Sequence, residues 1–126
     1  MNLGRVLFFT SDQAVGHEQR PKYHLFIQRT DDHRATAEYA FLFISSRSYG
    51  NCYLINKSDY DFLEHDSFIS CGGAVFYSRE YLSASKLRFV GEIAKTHLIE
   101  LRNHLVDHDF MPAWQIKMVC NALPAA

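Results

Sequence analysis

The sequence predicts an α+β fold, mainly β: a small, strongly curved antiparallel sheet or barrel followed by two helices. Two observations predict it. The first two thirds of the chain hold short β-branched and aromatic runs separated by Gly, Pro and polar turns. From residue 95 onward the apolar residues instead recur at helical spacing. A length of 126 residues fits one domain with one core, spanning 1–126. Apolar residues make up 48% and charged residues 21%, ordinary globular proportions that exclude a disordered chain. Ten Phe and seven Tyr supply the large side chains that a compact core needs.

Residues 5–10 form a first strand run, closed by Ser11-Asp12-Gln13 and Gly16. Residues 23–28 form a second, just after Pro21, whose missing N–H is not needed at a strand entrance. Residues 39–44 (Tyr-Ala-Phe-Leu-Phe-Ile) are the most continuously apolar run, which predicts a central strand with both faces covered. Residues 51–56 follow the turn Tyr49-Gly50-Asn51. Residues 68–71 and 74–77, on either side of Gly72-Gly73, read as one bulged strand or two short ones. Residues 87–93 complete the sheet. Between 95 and 108, Leu98, Ile99, Leu101, Leu105 and Val106 trace one apolar face of a helix. Pro112 then opens a shorter helix over 113–123, with Trp114, Met118 and Val119 available for packing, and Pro124 ends it.

Lys and Arg total 13 against 14 Asp and Glu, a formal net charge of −1, which excludes binding nucleic acid through bulk positive charge. A small local site is compatible with that balance. The three cysteines, Cys52, Cys71 and Cys120, are odd in number and contain no C-x-x-C pair, so buried reduced thiols are expected. The apolar run at the start is too short for a signal peptide, and no stretch approaches the roughly 20 apolar residues of a membrane span. The expectation is a cytoplasmic protein.

Several stretches in order resemble the plasmid-maintenance toxin superfamily, the PemK/Kid and MazF-like mRNA interferases, whose fold is related to that of the CcdB gyrase poisons. The Gly-led first strand matches Gly4-Arg5-Val6-Leu7-Phe8-Phe9, and a loop close to G-x-E-Q-x-x-R-P matches Gly16-His17-Glu18-Gln19-Arg20-Pro21. An apolar strand running into Thr or Ser matches Phe41-Leu42-Phe43-Ile44 followed by Ser45-Ser46. A Ser-led strand resembles Ser67-Phe68-Ile69-Ser70-Cys71, and the closing V-G-x-[IL] before a helix resembles Val90-Gly91-Glu92-Ile93. Together these cover most of residues 4–108. Where Kid-like members carry an Arg and an Asp after the Ser-led strand, this chain has Ser70 and Gly72.

The resemblance implies an SH3-like barrel over about 4–93, with helices over about 95–108 and 112–123. It implies a toxin of a toxin–antitoxin pair: a homodimeric, metal-independent endoribonuclease for single-stranded RNA, inhibited by an antitoxin protein and needing no cofactor. Such cleavage requires a base for the 2′-hydroxyl, a cation for the crowded phosphate and an acid for the leaving oxygen. Arg20 matches the family's catalytic-site Arg, and its planar fork suits phosphate oxygens. His17, three residues earlier, carries an imidazole suited to proton transfer near neutrality. Ser45 or Ser46 would hold the phosphate through a hydroxyl, although a Ser pair ending a strand is also ordinary turn chemistry. The residues at positions 70 and 72 support a second reading, a non-catalytic CcdB-like inhibitor or interaction module on the same fold.

Other patterns carry less. Asp59, Asp61, Glu64 and Asp66, with Tyr60 and Phe62 interleaved, make an acidic stretch that repels phosphate and reads as a solvated loop or a face for a basic partner. His104 and His108, four apart beside Asp107 and seven beyond His97, have the spacing of paired zinc ligands, but a third ligand is not visible. Histidines on a helix rim are the expectation there. Trp114 with Ile116, Met118 and Val119 reads as core or dimer seam.

Overall fold

The computed structural model describes residues 1–12, 20–30, 38–48, 51–108 and 110–126. Seven strands form one antiparallel sheet: β1 (Arg5–Thr10), β2 (Pro21–Thr30), β3 (Glu38–Ser45), β4 (Cys52–Ile55), β5 (Ser67–Ser70), β6 (Val75–Ser78) and β7 (Arg88–Glu92). Three helices accompany them: α1 (Arg79–Ala84), α2 (Lys95–Asp107) and α3 (Ala113–Ala122). The fold is α+β and mainly β.

The strand order is β4-β5-β3-β2-β1-β7, with β6 also on β3. Gly72-Gly73 divides two short strands that share one edge of β3. Ile44 pairs with Ile69 on β5, whereas Phe41 pairs with Val75 on β6.

The alternation that marks a half-buried strand is missing from β3 because both of its faces are covered. Ala40, Leu42 and Ile44 join Leu25, Ile27, Leu98, Leu101, Leu105 and Val119 in a core between the sheet and helices α2 and α3. Phe41 points the other way and joins Leu7, Phe9, Phe26, Tyr77 and Leu82 under α1. Helix α1 was not expected from the sequence. Its N-terminus is capped by Ser78, whose hydroxyl accepts the Tyr81 N–H at 3.0 Å.

The sheet is not closed, which corrects the expected barrel. Side chains, not strand pairing, bridge the β4 and β7 ends among the described residues. The segment 56–66 opens with a 3-10 turn (Lys57–Asp59), and Asp66 Oδ1 accepts the Lys57 N–H at 2.8 Å. From this segment Tyr60 accepts the Ala94 N–H at 3.0 Å, where α2 begins. The Tyr23 hydroxyl donates to the Phe62 carbonyl at 3.1 Å. The acidic stretch is therefore a braced flap with Tyr60 buried and Phe62 half-buried, not a solvated loop.

Gly4 opens β1 at φ +93°, a conformation that favours glycine. Its N–H bonds Phe26 O at 3.2 Å and its carbonyl accepts the Ile93 N–H at 2.8 Å, joining β1 to both neighbours. In α2, Leu98, Leu101 and Leu105 are buried, while Val106 is exposed. Trp114 is 60% exposed rather than core; it stacks on Phe76 at 5.6 Å. Among the described residues no helix is long and apolar enough to cross a membrane.

Candidate functional site

Antiparallel pairing places the site. Because Tyr23 pairs with Ile44, the start of β2 lies beside the end of β3. Because Ser45 pairs with Phe68, the end of β3 lies beside the start of β5. Three strand ends thus meet at one end of the sheet, bringing Arg20, Ser46 and Ser67 together from distant parts of the chain.

Two adjoining clefts occupy this end. One, of about 190 Å³, is lined by Arg20, Lys22, Tyr23, Ser45 and Ser46 among others. The next, of about 390 Å³, is lined by Arg20, Tyr23, Ser46, Glu64, His65 and Ser67 among others. Phe8 and Pro21 border both. The Phe8 and Tyr23 rings pack at 4.8 Å, and Lys22 Nζ lies 5.2 Å from the Phe43 ring centroid. The lining therefore combines cations, hydroxyls and aromatic surface, the components of a single-stranded nucleic-acid groove.

Arg20, Ser45 and Ser46 are brought to one cleft, as the sequence reading requires. Ser45 also does turn work, its Oγ accepting the Arg47 N–H at 3.2 Å; the hydroxyl keeps its own proton for donation. His17 lies outside the described residues, as do Glu18 and Gln19. Ser70 and Gly72 do not line either cleft.

Glu64 and His65 are the residues that sequence reasoning missed. They sit in the flap that bridges the sheet ends, and the Ser67 hydroxyl donates to the His65 carbonyl at 2.9 Å. Their place beside Arg20 depends on how 56–66 folds back, and no local motif signals it. A carboxylate and an imidazole here add two groups able to move protons.

The helix histidines are separately engaged. His108 Nδ1 donates to the His104 carbonyl at 3.0 Å, and its ring stacks on Phe110 at 5.4 Å. The Tyr60 hydroxyl bonds His97 Nδ1, and His97 Nε2 lies 4.0 Å from Asp59. Burial lowers the His104 pKa, with His108 adding to the effect. Among the described residues no three His, Cys, Asp or Glu side chains converge as a metal site.

Comparison with models of known protein families, with curated proteins and with solved structures finds no match. The functional reading of the cleft rests on its own geometry and on the sequence resemblance.

Proposed function

We propose that this protein is a metal-independent endoribonuclease for single-stranded RNA, of the toxin type, acting at the Arg20 cleft. The observation that carries the reading is the convergence of Arg20, Ser45, Ser46, Glu64 and His65 on adjoining clefts bordered by Phe8 and Tyr23. Arg20 offsets charge on the phosphorane with its fork, and Ser46 donates to a non-bridging oxygen. Glu64 and His65 divide the proton transfers: one takes the 2′-hydroxyl proton, the other protonates the departing 5′-oxygen. The O2′–P bond forms as the P–O5′ bond breaks, leaving a 2′,3′-cyclic phosphate and a 5′-hydroxyl.

Only a few cations face the cleft, so affinity for RNA falls with added salt but modestly. The resemblance adds an antitoxin partner and a homodimer to the proposal. The test is incubation of the protein and its Arg20→Ala variant with a long single-stranded RNA in chelator. Discrete cleavage by the wild type, lost in the variant, is the expected result. Intact RNA with both proteins overturns it and favours the non-catalytic interaction module, the reading that Ser70 and Gly72 support.

A further inference from the structure

Beyond Phe8 and Pro21 the groove continues into the largest cavity, about 610 Å³, between β1, α1 and the start of β7. Strand β7 pairs β1 only as far as Phe8, opposite Arg88. Past that point α1 and the segment leading to β7 form the wall, contributing Tyr81, Ala84, Ser85 and Lys86. That wall is held firmly: the Tyr81 hydroxyl donates to the Thr10 carbonyl at 2.7 Å, and the Ser85 hydroxyl donates to the Tyr81 carbonyl at 2.8 Å. The Arg88 guanidinium carbon lies 5.5 Å from the Phe8 ring centroid, on the border between this cavity and the Arg20 cleft.

We infer that this cavity is a second nucleotide subsite, taking a nucleotide that flanks the one whose phosphate sits at Arg20; the inference rests on the proposed RNA-cleaving reading. The apolar floor of Phe8, Pro21 and Tyr81 receives the base, and Lys86 and Arg88 receive its phosphate. Arg88 serves either as a stacking plane or as a bidentate phosphate donor. The charge pattern supports a phosphate-bearing ligand. The chain is net −1, yet Arg20, Lys22, Lys86 and Arg88 line the continuous groove against one acidic side chain, Glu64, among the described lining residues.

Lys86 and Arg88 are both exposed, so replacing them leaves the fold intact. The test uses Lys86→Ala/Arg88→Ala and Arg20→Ala, with a 2′-O-methyl hexanucleotide for binding by fluorescence anisotropy. Cleavable RNA dinucleotide and hexanucleotide substrates provide the kinetics. The double variant is expected to weaken hexanucleotide binding roughly tenfold and to reduce the slope of log affinity against log salt by about 1.4. It raises KM for the hexanucleotide and leaves kcat/KM for the dinucleotide unchanged. Unchanged hexanucleotide affinity and salt slope, with cleavage still abolished by Arg20→Ala, overturns the subsite alone. Absence of hexanucleotide binding by the wild type at low salt overturns both the subsite and the cleavage reading.

Discussion

The Tyr77 hydroxyl stands 2.9 Å from Nε2 of His24, joining two residues of different strands inside the aromatic core. His24 is fully buried, stacked on Phe9 at 3.8 Å. Its Nδ1 donates to the Lys22 carbonyl at 2.8 Å, so Nε2 is the acceptor and Tyr77 the donor in the neutral state. Ser11 Oγ bonds the same phenol oxygen at 2.5 Å. A polar chain thus crosses an apolar cluster, with β2 and β6 tied through side chains.

Burial lowers the His24 pKa from 6.5 to about 4. The unfolded chain takes up the proton first, so this group's stabilisation is complete above about pH 6.5 and lost as pH falls towards 4. The loss totals about 3 kcal/mol. Urea unfolding at a series of pH values should show stability dropping across that window. A His24→Gln variant should flatten the drop; an unchanged slope in the variant assigns it to other groups.

Tyr77→Phe keeps the ring and removes the donor to His24 Nε2. Leaving that nitrogen buried without its partner costs about 1–3 kcal/mol. Thermal or urea unfolding at pH 7 measures it, and a loss well below that range would show that the bond contributes little.

Gly91 on β7 lies under the Phe62 ring, and a Cβ there would stand 2.6 Å from Phe62 Cδ1. Gly91→Ala forces Phe62, packed against Tyr23 at 5.3 Å, to move, at a cost of about 1–3 kcal/mol. In a Phe62→Ala background the same substitution should cost far less. A double-mutant cycle reads the difference directly.

The three thiols differ in access. Burial pushes Cys71 up to about 12 and raises Cys120. Cys52 is half-buried, with its sulfur 3.3 Å from Ser48 Oγ. A thiol-specific chromogenic reagent at pH 8 should therefore modify one cysteine promptly in the native protein and all three in denaturant. Cys52→Ser should abolish the prompt phase; its persistence would mean that a core thiol is exposed.

Local pattern in the sequence determined most of the elements. The strand runs and the two C-terminal helices follow from side-chain period, Gly and Pro, because those signals act over a few residues. The six-residue α1 escaped because it is too short for periodicity, although Ser78 and Glu80 carry an N-terminal signal. Trp114 was misread because an aromatic in a helix does not say whether the facing surface is core or the edge offered by Phe76.

The candidate site was half legible. Arg20, Ser45 and Ser46 stood out through a resemblance and through the chemistry of their groups. Their meeting, and the arrival of Glu64 and His65 beside them, depends on strand register and on the fold of 56–66 over the open ends of the sheet. Only the tertiary structure decided that, because long-range pairing and packing, not neighbours in the chain, set which distant side chains share a cleft.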